Sequence, residues 1–126
     1  MKKAIATDKA PKAIGPYSQG VVSGRFVFVS GQIPLDPATG QLSAGDIKVQ
    51  TELVIKNIQS VLRSQGFDLS HVVKTTVFLK NLGDFQAMNE VYGRFFKEPF
   101  PARSTIQVSE LPKGVPVEIE AIASLD

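Results

Sequence analysis

Cysteine is absent from this chain of 126 residues, which removes disulfides, thiolate metal sites and a cysteine nucleophile in one step. The absence fits a reducing compartment, and a cytoplasmic location is expected. Histidine occurs once, at His71. A zinc site would have to rest almost entirely on carboxylates, which is unusual. The histidine pair of the usual acid–base ribonuclease chemistry is missing as well. No apolar run approaches the ~20 residues of a membrane span. The opening MKKAIATDKAPKAIG begins with lysines but lacks the apolar stretch of a signal peptide.

Excess charge is also lacking, since 14 basic and 12 acidic residues leave a net +2. The cations are scattered rather than gathered into the run or stripe of a nucleic-acid binder, so no nucleic-acid partner is expected. No internal repeat and no Pro/Gly/Ser linker divides the chain, and residues 1–126 read as one domain. A chain of this length buries roughly two thirds of the surface its unfolded form exposes. With 43% apolar and 21% charged residues, it has the composition of an ordinary soluble domain.

Periodicity then places the elements. YSQGVV and RFVFVSGQI read as strands joined at Ser23-Gly24, and PLDPATGQ as a loop punctuated by Pro34, Pro37 and Gly40. From Asp46, a candidate N-cap, Ile47, Val54, Ile58, Val61 and Leu62 share a helical face, with Gly66 as a stop. HVVKTTVFLK is β-branched and aromatic, hence a strand. A second helix, capped by Asp84, carries Phe85, Met88, Tyr92 and Phe95 on one stripe. Gly93 inside it costs about 1 kcal/mol relative to Ala. Pro99 and Pro101 end this helix, and STIQV and VPVEIEAIASL close the chain as strands. The order ββ-α-β-α-ββ predicts an α+β two-layer sandwich with two helices on one face of the sheet.

One stretch, PARSTIQV, sets Arg103, Thr105 and Gln107 on one strand face. In the last strand Val117, Ile119, Ala121 and Ala123 suit packing against helices, while Glu118 and Glu120 point the other way. If these two strands form an antiparallel hairpin, one register pairs Val108 with Val117 and sets Gln107 across from Glu118. Both polar rows would then lie on one side of the sheet. That geometry admits two readings: a wet or oligomer-facing surface with weak ion pairs, or an anion-binding arginine beside a carboxylate that handles a proton.

Four segments bear on the choice. AIGPYSQG (13–20), VSGQIPLDPATG (29–40), VVKTTVFLKNLGDFQAMNEVYGRFF (72–96) and FPARSTIQVSELPKGVPVEIEAIA (100–123) together resemble the RidA (YjgF) family of reactive enamine/imine deaminases. The resemblance spans nearly the whole chain. It implies a chorismate-mutase-like fold (bacillus type), assembled as a homotrimer around a central β-barrel with a cleft between each pair of neighbours. It also implies hydrolysis of 2-iminobutanoate and 2-iminopropanoate, released as enamines by PLP-dependent dehydratases, to 2-keto acids and ammonia. Neither a metal nor an organic cofactor is implied.

Under this resemblance Arg103 would hold the substrate carboxylate, for which the guanidinium fork is suited. Glu118 would orient the attacking water and assist proton transfer, because an imine needs a proton on nitrogen while water must lose one. Tyr17, Ser30, Gly31, Asn89 and Thr105 would border the substrate. Many bacterial relatives have cysteine where this chain has Thr105, so a thiolate mechanism is excluded here. Glu120 matches a second glutamate without an implied catalytic role, and His71 has no place in the cleft. A non-catalytic sensor of 2-keto acids or amino acids is the alternative, with the same arginine as its anchor.

Overall fold

The computed structural model describes residues 1–125. Strands β1 (Lys2–Ile5), β2 (Gly20–Ser23) and β3 (Phe26–Gln32) precede helix α1 (Ile47–Arg63). Strand β4 (Val72–Leu79), helix α2 (Phe85–Phe95) and strands β5 (Ala102–Gln107) and β6 (Val117–Ser124) follow. The six strands form one sheet in the order β1-β2-β3-β6-β4-β5. Among the described residues, no helix is long and apolar enough to cross a membrane.

Both helices cover one face. Val54, Ile55, Ile58, Val61 and Leu62 of α1, with Met88 and Val91 of α2, are fully buried against Val27, Val77, Val117, Ile119 and Ala123 of the sheet. Each such aliphatic side chain contributes about 1.5–3 kcal/mol through burial. The Asp46 side chain accepts from the Val49 amide and starts α1 as its sequence suggests. Asp84 occupies the N-cap position of α2 but makes no side-chain cap bond. Asn81 instead caps a short 3₁₀ turn that leads into the helix, accepting from the Gly83 amide at 2.8 Å.

Three sequence expectations are corrected. β1 is a real strand, antiparallel to β2; it is short and lysine-bearing, as sheet edges often are, and so carries little strand signal. The β2–β3 hairpin closes on Ser23 opposite Phe26, which makes Gly24-Arg25 the turn; Gly24 supplies the positive φ of 59°. The largest correction concerns the last two strands, which do not pair at all. β6 inserts antiparallel between β3 and β4, while β5 lies at the edge, parallel to β4 after the α2 crossover.

This order sets the polar rows on opposite faces. Arg103, Thr105 and Gln107 align with Thr75, Val77 and Leu79, which are fully buried on the helix side. Glu118 and Glu120 align with Phe78 and Thr76, on the side the helices leave uncovered. Register neighbours share a face, so within one chain Arg103 and Glu118 are separated by the sheet.

Candidate active site

The sequence-selected residues fall into two groups. On the helix side, Arg103 Nη1 donates to Asn89 Oδ1 at 2.8 Å. Its guanidinium carbon lies 4.8 Å from the Tyr92 ring centroid and 5.5 Å from that of Phe85. β5 brings Arg103 to the edge of α2, and helical spacing puts Phe85, Asn89 and Tyr92 on the face that meets it. Two places along, the Thr105 hydroxyl is a buried oxygen without a hydrogen-bond partner among the described residues. An orphaned hydroxyl costs free energy unless something else satisfies it.

The second group lines an open cleft of about 840 Å³ on the other face, where Tyr17, Ser30, Gly31 and Glu118 come together with Lys12, Ile14 and Lys113 among the walls. A bulge builds its floor. Between the paired positions Val29–Ala121 and Gln32–Ile119, β3 has Ser30 and Gly31 where β6 has only Glu120. The Glu118 carboxyl lies directly on the Gly31 Cα. A Cβ added there would fall 2.0 Å from Glu118 Oε2, so glycine is required for close approach rather than for an unusual φ.

Glu118 is half-buried, and its carboxyl is raised above the usual range, first by desolvation and then by the charge of Glu120. No ion pair offsets either effect among the described residues. Such a carboxyl is more easily protonated than an ordinary glutamate and suits proton transfer.

The frame around this cleft uses residues that periodicity does not single out. Buried Gln19 accepts from the Thr7 amide at 2.7 Å and donates to the carbonyls of Thr7, Ala10 and Pro11. It thus ties the N-terminal segment to the wall. Ser30 Oγ donates to the Ser18 carbonyl, and the Ser30 amide donates to that of Gln19, fixing the turn that carries Tyr17. On the opposite wall, Asn57 of α1 donates to the Leu35 carbonyl at 2.9 Å. A polar residue on an otherwise apolar helix face was the available signal for Asn57.

Ser30 therefore acts through its main-chain partners, and Asn89 holds Arg103. His71 lies outside both groups. Its Nδ1 accepts from the Asp68 amide, and its ring meets Phe67 edge-on.

A family model described as Endoribonuclease L-PSP matches residues 7–125. Protein DfrA of Myxococcus xanthus is 57% identical over 124 residues, spanning 97% of this chain and 95% of its own length. The 2-iminobutanoate/2-iminopropanoate deaminase of Homo sapiens is 47% identical over 123 residues, spanning 98% of this chain and 90% of its own. The crystal structure of E. coli TdcF with bound serine matches at a TM-score of 0.92 and 46% identity, covering 97% of this chain and 98% of that one.

Proposed function

The chain belongs to the Endoribonuclease L-PSP family, which is the YjgF/RidA family, and on that premise we propose that it is an enamine/imine deaminase. It hydrolyses 2-iminobutanoate and 2-iminopropanoate to 2-keto acids and ammonia, drawing on its own side chains rather than on a cofactor. The deaminase name of the human relative and the serine bound to TdcF support a small amino-acid-like substrate. The observation that carries the reading is that the chain holds both an arginine braced for a carboxylate and a half-buried glutamate with no ion-pair partner among the described residues.

Because these groups lie on opposite faces of one sheet, the working site takes Arg103 from one copy and Glu118 from the next. A homotrimer whose sheets form a central barrel, as in a chorismate-mutase-like assembly, meets this need by setting the β5 edge of each copy, which carries Arg103, against the uncovered face of the next. Phe26 and Phe28, exposed on that face, supply apolar area for such contacts.

The substrate carboxylate binds the free edge of Arg103, with the Thr105 hydroxyl beside it. The imine carbon then faces Glu118 of the neighbouring copy. Protonated Glu118 gives its proton to the imine nitrogen, and the resulting carboxylate accepts one from the water that adds to carbon. Glu118, protonated again, gives that proton to the carbinolamine nitrogen and takes the hydroxyl proton as the C–N bond breaks, which releases ammonia and leaves the ketone. Atoms balance as imine plus water to ketone plus ammonia.

The decisive experiment supplies 2-aminoacrylate from a serine dehydratase and follows keto-acid release. Purified protein is expected to accelerate the release. If it accelerates none of a panel of small 2-imino acids yet binds 2-keto acids, the sensor reading replaces this one.

A further inference from the structure

Tyr92 is a core residue by burial, at 5% exposure, yet its ring provides the nearer of the two aromatic faces against the Arg103 guanidinium. It is braced from behind. Phe96 stacks on it with ring centroids 4.4 Å apart and planes 29° off parallel. Its hydroxyl shares a 2.7 Å hydrogen bond with the hydroxyl of Thr75, a fully buried residue of β4 and the register neighbour of Arg103 itself. The same strand pair therefore positions the arginine and the ring beneath it.

The guanidinium has five N–H donors, and the bond from Nη1 to Asn89 is the one hydrogen bond it makes among the described residues. Its plane is set by Tyr92 and Phe85 and its rotation by Asn89, and its other N–H donors have no hydrogen-bond partner among the described residues. A long side chain held this way does not lose its freedom on binding ligand, so the immobilisation cost falls on folding instead.

We propose that Tyr92 is a positioning residue which, through its cation–π contact, holds Arg103 as a preset fork for one carboxylate. It thereby sets the affinity for 2-imino and 2-keto acids and not the rate of their hydrolysis. This inference rests on Arg103 being the carboxylate anchor of the proposed deaminase.

The test keeps the shape of the ring and changes its electrons. Position 92 is replaced by phenylalanine, by 4-fluorophenylalanine and by 3,4,5-trifluorophenylalanine in the full-length protein. Pyruvate binding is measured by calorimetry beside KM and kcat for imine hydrolysis. Tyr92→Phe is expected to hold the pyruvate Kd within about twofold, because the ring face remains. The trifluoro variant is expected to raise Kd and KM by about tenfold at unchanged kcat, the middle of the range such contacts span.

A flat series overturns the proposal, as does a fall in kcat at constant KM. Wild-type protein that binds no pyruvate overturns it together with the anchor. Wild-type protein that binds pyruvate but hydrolyses no imine defeats the deaminase reading alone, and the Kd series still decides the role of Tyr92.

Discussion

Arg103 on β5 and Glu118 on β6 are both partly buried charged side chains, but their surroundings differ in kind. Arg103 has an aromatic face, a second ring and an amide oxygen from its own chain. Glu118 has a second carboxylate nearby, a glycine Cα against it and no ion-pair partner among the described residues. The arginine keeps its charge and geometry before any ligand arrives, as a binding group should. The glutamate has lost part of the solvation that favours its charge, as a group that must exchange protons at moderate pH should. On the proposed reading, folding has prepared one for recognition and the other for chemistry.

Separating the two on different copies gives the largest effect. Arg103→Ala and Glu118→Gln are each expected to abolish turnover. When the two variants are unfolded and refolded together, the proposed cyclic trimer, randomly mixed, is expected to regain about a quarter of the wild-type activity, because every mixed trimer would contain one intact pair. Absence of recovery in a properly assembled mixture would show that both groups serve the same copy.

Gly31→Ala sharpens the comparison on the glutamate side. The new Cβ would fall 2.0 Å from Glu118 Oε2, so the carboxylate must move while Arg103 stays in place. A displacement on the order of 1 Å can cost about 10²-fold. The loss is expected in kcat, with pyruvate affinity retained, and steady-state kinetics with calorimetry would separate the two.

A smaller effect follows from the raised carboxyl. A group whose folded pKa lies above its unfolded value contributes stability below the unfolded value and loses it as pH rises through the folded one. At neutral pH the wild-type chain therefore carries the cost of ionising Glu118, which Glu118→Gln avoids. Thermal unfolding should show the variant with the higher Tm at neutral pH. The difference should vanish once pH falls below the ordinary carboxylate range. A lower Tm at neutral pH would instead show that Arg103 of the neighbouring copy, in the proposed shared site, outweighs that cost.

The smallest change tests a glycine without a local role. Gly93 lies in the interior of α2, and a Cβ there would meet nothing within 4 Å. Gly93→Ala should stabilise the chain by about 1 kcal/mol in denaturant melts without altering activity. Destabilisation of the assembled protein alone would show that another copy approaches the helix there.

Much of this was legible in the residues. The buried faces of both helices and of β6 follow from their periodicity. Asp46 caps as expected, and the four quoted segments pointed to the family and to both charged groups. His71 is absorbed in local bonding, in keeping with its place at a loop-to-strand junction. Tyr92 was readable as a core residue but not as a platform for Arg103, since that contact joins α2 to β5 across the layers. Gln19 and Asn57 bond to distant main-chain atoms, and neither residue type nor spacing discloses such partners.

The sequence by itself determined which side chains share a face within each strand and helix, because that depends only on repeats of 2.0 and 3.6 residues. Only the tertiary structure decided how the faces of different strands relate. The α2 crossover makes β5 parallel to β4, and β6 pairs with the other side of β4 and with β3, not with β5 as a terminal hairpin would have set it. Which strand neighbours which depends on long-range packing of the whole sheet, and pattern within one strand cannot encode it. That choice turned Arg103 toward the helices and Glu118 away from them, and so set the two on opposite faces of the sheet within one chain.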